Sequence, residues 1–278
     1  PTTRRYVATT RRHPTTAVAD GDRAIGIALS AVDDFVFNST GQLPLTLNGT
    51  HEHQIYAQET FKWHQLYLGI AMVYDATDRI NNRVHCRLVW SKQLLSGWRF
   101  VEEDGLTGSD FIPLGHSGPA GTEANDFDSH LCFAARPVRA PDGERVYYAG
   151  SNGKHSGSKP HRNASVGLAM FRLDGYAGMA GTGTLKTVPI NVTAARLRVT
   201  VDILGSNGSV RVGLRHAGSS SYISEFSPTD CITISANVTA EPVVFSSGKT
   251  LVSLVGQEVS IVLEVTDAFI YTIGFSQS

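Results

Sequence analysis

Apolar positions fall in short runs, most of them alternating with polar ones, and turn-forming residues separate the runs. Runs at residues 23–30, 66–74, 84–91, 145–150 and 165–171 are bounded by Gly, Asn, Asp, Pro or Ser. No stretch carries apolar residues at i, i+3, i+4 and i+7 between helix caps. The pattern predicts strands, and the fold class is all-β.

The runs also repeat weakly. Ile25-Gly26-Ile27-Ala28-Leu29-Ser30 is similar to Val166-Gly167-Leu168-Ala169-Met170-Phe171 and, less closely, to Cys86-Arg87-Leu88-Val89-Trp90-Ser91. Each follows a strand bearing Tyr. A repeat of roughly 60 to 80 residues made of four short strands reads as propeller blades, about three of them over residues 1–180. Beyond the Gly-rich stretch 178–183 the alternation becomes cleaner, at 195–202, 209–215 and 258–265, with a closing run at 269–275. Period 2 buries one face of each strand. About six strands in about 95 residues predict a β-sandwich over 181–278.

Charge narrows the function classes. The 278 residues hold 24 Lys and Arg against 25 Asp and Glu, a formal charge of -1. That balance argues against a nucleic-acid binder, which needs a basic stripe. Arg4, Arg5, Arg11 and Arg12 make the start basic and read as a processing-site neighbourhood or blade edge. No apolar run approaches the ~20 residues of a membrane helix. The chain starts at Pro1 without an apolar signal core, so a processed or truncated chain is expected, secreted or extracellular. Six Asn-x-Ser/Thr sequons, at Asn38, Asn48, Asn163, Asn191, Asn207 and Asn237, suit the secretory route and N-glycosylation. Cys86, Cys132 and Cys231 leave two readings open: one bridge plus a thiol, or three buried thiols. The ten His are scattered and no Cys-x-x-Cys occurs, so no metal site and no cofactor is expected.

Several motifs, in shared order, resemble the family-32-like glycoside hydrolases of the five-bladed propeller superfamily. They are Leu66-Tyr67-Leu68-Gly69-Ile70, Phe111-Ile112-Pro113-Leu114-Gly115, Asp126-Phe127-Asp128-Ser129, Tyr147-Tyr148-Ala149-Gly150 and Ser165-Val166-Gly167-Leu168. Leu185-Lys186-Thr187-Val188-Pro189 and residues 225–231 and 269–275 are similar to the C-terminal sandwich of such enzymes. The resemblance implies a partial five-bladed propeller of about three blades, followed by a β-sandwich. It also implies about two further blades before Pro1, supplied by an N-terminal partner fragment, since an open arc exposes strand edges. The catalytic nucleophile of such propellers lies on the first blade, outside this sequence.

Two runs are expected to line the channel: 54–61 and 126–133. Alternation puts Asp126, Asp128 and His130 along one side of the second run, Tyr56 and Gln58 on one face of the first, and Glu59 on the other. Glycoside hydrolysis needs two carboxyl groups across the scissile bond. Glu59 is the acid candidate and Asp128 the candidate for a sugar-hydroxyl or transition-state contact. Gln54 stands where the resemblance leads one to expect an acid. Asn152 and His155, on the polar loop 151–163, are set to hydrogen-bond sugar hydroxyls. The three Trp (Trp63, Trp90 and Trp98) are assigned to packing between blades. No Gly-x-Ser-x-Gly elbow or phosphate-binding glycine loop occurs. The expected function is a secreted glycosidase-like protein acting on or binding a carbohydrate in the channel. The alternative is an inactive relative serving a structural or adhesive role in an extracellular assembly. A carbohydrate-binding module on the sandwich is a third reading, weakened by the lack of an aromatic row on its strands.

Overall fold

The computed structural model describes residues 7–12, 23–30, 45–102, 105–117, 126–155 and 163–276. Among these the chain is all-β, with seventeen strands and a single 3-10 turn at Leu251–Leu254. It forms two compact units: residues 1–140 with 144–170, and residues 141–143 with 171–278. The division thus falls between Met170 and Phe171. The expected boundary at 180/181 lies within a strand of the second unit.

The first unit is a succession of antiparallel meanders. Strands β1 (Val7–Arg12), β2 (Ala24–Leu29) and β3 (Leu45–Asn48) form one. Strands β4 (His53–Trp63), β5 (Leu66–Asp75), β6 (Val84–Ser91) and β7 (Arg99–Phe100) form the next, paired in chain order. In the third, β8 (Leu131–Ala134), β9 (Val138–Ala140) and β11 (Ala164–Phe171) all neighbour β10 (Gly143–Ser151). This is the strand pattern of propeller blades. Ile25 and Leu47 of the first meander meet Ile55, Ala71, Val73, Val89 and Trp98 of the second in one buried cluster. Trp98 donates its indole N–H to the Leu94 carbonyl at 2.8 Å, which satisfies its polar edge.

The second and third meanders are joined thinly. β6 and β8 share one parallel pairing, Val84 with Leu131, and the Val84 N–H donates to the His130 carbonyl at 2.9 Å. A disulfide between Cys86 and Cys132 links the same strands, with Cα atoms 5.8 Å apart. Of the two cysteine readings the structure holds the bridged one, and Cys231 is a buried thiol.

The channel strand expected over 126–133 is shorter than read. Residues 126–130 form a turn, and only Leu131–Ala134 is strand. The Ser129 N–H donates to the Asp126 carbonyl at 3.1 Å, closing that turn. Asp126, Asp128 and His130 therefore do not line one side of a strand. Polar residues at alternate positions gave the period, but here the backbone closes a turn in place of a ladder.

The second unit is the sandwich. It comprises β12 (Met179–Lys186), β13 (Ile190–Asn191), β14 (Arg196–Ile203), β15 (Ser209–His216), β16 (Val238–Pro242) and β17 (Glu258–Ser276). The runs read separately at 258–265 and 269–275 are one strand. Its first half pairs with β15 and its second half with β14, and the chain bends at Asp267, whose φ is 41°. Leu197, Val199, Val212, Leu214, Ile261 and Leu263 fill the core, with Phe226 edge-on to Phe245 at 4.9 Å.

Candidate functional site

A group of aromatic, amide and cationic side chains converges in the first unit. It begins with a backbone knot. The Arg23 carbonyl accepts from the N–H of Gly49 and of Ile55, at 3.3 and 3.4 Å. A Cβ on Gly49 would stand 2.6 Å from that oxygen and 2.7 Å from the His53 carbonyl, so only glycine fits the approach. Held there, Arg23 donates through Nη1 to Gln54 Oε1 at 2.7 Å and lays its guanidinium over the Tyr56 ring at 4.1 Å. Tyr56 owes its position to a break in the ladder. The β4–β5 register shifts between Ile55 and Ala57, leaving Tyr56 as the bulged residue.

From Tyr56 the group extends over three more elements. The rings of Tyr74 (β5) and His155 (the β10–β11 loop) meet Tyr56 nearly edge-on, at 5.3 and 4.4 Å. Tyr74 and Phe133 (β8) lie 5.4 and 6.2 Å from the His155 ring. Asn82, in the turn between β5 and β6, ties the group together. Its side-chain oxygen accepts from the Tyr74 hydroxyl at 2.7 Å, and its carbonyl accepts from the His155 N–H at 3.3 Å. Its φ of 54° is in the left-handed region, where Asn is among the few residues tolerated. Tyr56 and His155, singled out separately in the sequence, are thus brought into ring contact. Arg23, Gln54, Tyr74, Asn82 and Phe133 complete the group; Gln54 and Phe133 lie on the runs expected to line the channel, and Arg23, Tyr74 and Asn82 carried no signal as ligand-facing residues.

The other candidates lie as follows. Gln58 is buried on β4 and donates to Thr60 at 3.1 Å. Asn152 pairs with Asn163 across the base of its hairpin loop: its side-chain oxygen accepts from the Asn163 N–H at 3.0 Å. Asp126 is exposed and accepts from the His116 N–H at 2.7 Å. Asp128 is buried and accepts from the Tyr148 hydroxyl at 2.5 Å. Burial, that hydrogen bond and the Asp128 charge push the Tyr148 hydroxyl up to about 12. His130 is buried, with Nδ1 2.9 Å from the Ser129 hydroxyl. Desolvation, Arg83 and Lys154 hold its imidazole below the usual range, with Asp78 opposing, so it is neutral at neutral pH. No hydrogen bond or ion pair joins Glu59 to Asp128 among the described residues.

Glu59 is half-buried on β4. Burial pushes its carboxyl up, and the Arg136 charge opposes that only in part. The fold therefore favours the neutral acid. This part of the stability is complete below about pH 4.5 and is lost as pH rises through the elevated folded value. Glu59→Gln cannot ionise, so it is expected to lose this pH dependence and to gain stability over the parent at pH 7. Denaturant unfolding of both proteins at pH 4 and pH 7 checks this, and an equal difference at the two pH values contradicts it.

A second polar group was not anticipated. His85 and Arg87, on one face of β6, both reach Asp110: His85 Nδ1 at 3.0 Å and Arg87 Nε at 3.3 Å. This ties the strand to the segment beyond β7. Among the described residues no cluster of three His, Cys, Asp or Glu side chains is placed to hold a metal, and no helix is long and apolar enough to cross a membrane.

Asn48, Asn163, Asn191, Asn207 and Asn237 are all exposed. Asn38 lies outside the described residues.

The site and the fold together define an all-β protein of blade-like meanders and a sandwich, with an aromatic and cationic group on the meanders. No protein-family model matches the chain, and no curated protein matches it. Among solved structures it is similar to a glycoside hydrolase family 43 arabinoxylan arabinofuranohydrolase from Bacillus subtilis in complex with cellotetraose. The identity is 8%, the TM-score 0.30, and the match covers 91% of this chain and 59% of that one. It is also similar to a variant of a Bombyx mori GH32 beta-fructofuranosidase in complex with sucrose, at 9% identity and TM-score 0.34, over 98% of this chain and 77% of that one. A third structure, described as a glycoside hydrolase, gives 9% identity and TM-score 0.31 over 92% and 67%. The chain thus spans less than two thirds of the first of these. Likenesses of this size fix neither family nor activity.

Proposed function

We propose that the meander unit binds a carbohydrate against Tyr56, Tyr74 and His155, as a secreted glycosidase-like protein related to the family-32-like enzymes. The observation that carries this reading is the convergence of half-buried rings with amide and cationic side chains from separate strands, turns and loops. Sugars offer apolar C–H faces and a rim of hydroxyls. Sites that hold such small polar ligands combine aromatic walls with a few placed hydrogen-bonding groups. Asn82, Gln54 and His155 are of that kind. Glu59, whose carboxyl burial pushes up, suits the role of general acid. Asp128, engaged by Tyr148, suits a hydroxyl acceptor.

Other observations support the secretory setting. The Cys86–Cys132 bridge belongs to oxidising compartments, and five exposed sequons are open to glycan transfer. An N-terminal partner fragment is supported by β11, the last strand of its sheet, which leaves Val166, Leu168 and Met170 exposed in a row. The alternative, an inactive structural or adhesive relative, is favoured by one feature: Gln54 replaces the acid that the resemblance leads one to expect.

The test is a glycan-array screen followed by titration of the bound oligosaccharide. Tyr56→Ala is expected to weaken binding about tenfold or more, the scale on which truncating an aromatic anchor acts. Unchanged affinity in Tyr56→Ala with an unchanged melting temperature contradicts the reading. Turnover by the parent that is lost in Glu59→Gln would assign hydrolysis. Binding without turnover assigns the adhesive alternative.

A further inference from the structure

Among the described residues the charge on Arg23 has no counterpart. Its guanidinium lies between the Gln54 amide oxygen and the face of Tyr56, and neither carries a formal charge. It makes no ion pair among the described residues, and its Nε is buried without a hydrogen-bond partner. Asp75 and Asp78 are engaged elsewhere. Asp75 holds Thr77 at 2.6 and 2.8 Å and lies 3.7 Å from His53, and Asp78 lies 3.7 Å from Arg83. His155 is in contact with Tyr56, and Arg83 and Lys154 together bias His130 against protonation. A desolvated cation without a counter-ion is costly, and a ligand anion offsets that cost. With Glu at position 54 the charge would be cancelled from within. With Gln there, it stays available.

Resting on the carbohydrate reading above, we propose that the ligand is an anionic oligosaccharide, and that Arg23 binds its acidic group. Planar guanidinium donors match a carboxylate or sulfate oxygen pair, and the aromatic ring beneath holds the fork in place. Gln54 is the specificity-determining partner, because it orients Arg23 without neutralising it.

The experiment compares three trisaccharides of one linkage by calorimetric titration: a tri-uronate, the same sugar with its carboxyls reduced to alcohols, and that neutral sugar sulfated. The parent is expected to bind an anionic form about tenfold or more tighter than the neutral form. Whether the uronate or the sulfated sugar binds tighter identifies the acidic group. Arg23→Met keeps the aliphatic stem over Tyr56 and removes the charge. Gln54→Glu supplies an internal counter-ion. Both are expected to bring anionic and neutral affinities to near parity. Equal affinities in the parent, or a preference that survives in Gln54→Glu, overturns the inference and leaves the carbohydrate reading standing. Failure of all three sugars to bind, after a positive array result for none, overturns that reading as well.

Discussion

Breaking the Cys86–Cys132 bridge is expected to destabilise the meander unit by about 4 kcal/mol. The cysteines are 46 residues apart, and closing a loop of that length removes chain entropy from the unfolded state on this scale. The native geometry makes the effect more than a generic one. The meanders that the bridge joins share a single strand pairing at Val84 and Leu131, so few backbone hydrogen bonds hold them when the bridge is absent. Both cysteines are buried, at 0% and 1% exposure, so the thiols left behind do not gain solvation. Denaturant unfolding with and without reductant measures this. The Cys86→Ala, Cys132→Ala double variant should behave as the reduced parent and should ignore reductant. Equal midpoints for oxidised and reduced parent would contradict the account.

Leu263→Ala in the sandwich is expected to cost about 2–5 kcal/mol, through lost transfer energy and the cavity left behind. Leu263 is wholly buried on β17, between Leu185 of β12 and Val212 of β15. Its neighbours across two ladders are fixed in register, so the void cannot collapse by sliding one strand. Val244→Ala serves as the control. Val244 is 50% exposed, and its truncation should stay within about 0.5 kcal/mol. Chemical denaturation of the two variants compares them, and similar midpoints would mean that this core does not hold the unit together.

Strands were legible because period 2 is a local property. Residues 66–74, 84–91 and 165–171 were read within a residue or so of β5, β6 and β11. The bends were not. The runs at 258–265 and 269–275 belong to one strand because the chain turns at Asp267 while pairing continues on either side. Residues 126, 128 and 130 are polar at period 2, yet the backbone there closes a turn. At the site, Tyr56 and His155 could be chosen by type but not as a pair. Their contact depends on the bulge at Tyr56, on the left-handed Asn82 and on a hairpin loop from another meander. Arg23 gave no signal because its role comes from a carbonyl pinned by Gly49 and Ile55. Gln54 was noted only as a missing acid. Beside Arg23 the same amide becomes the reason that a charge is left over.

The most direct test of the carbohydrate site is to locate a bound oligosaccharide on the intact chain by NMR. Labelled Tyr and His rings would be followed during titration with the best array ligand. The account predicts saturable shifts confined to Tyr56, Tyr74 and His155, while Tyr222 and Tyr271 of the sandwich stay still. Shifts on the sandwich tyrosines, with the three meander rings unmoved, would contradict it.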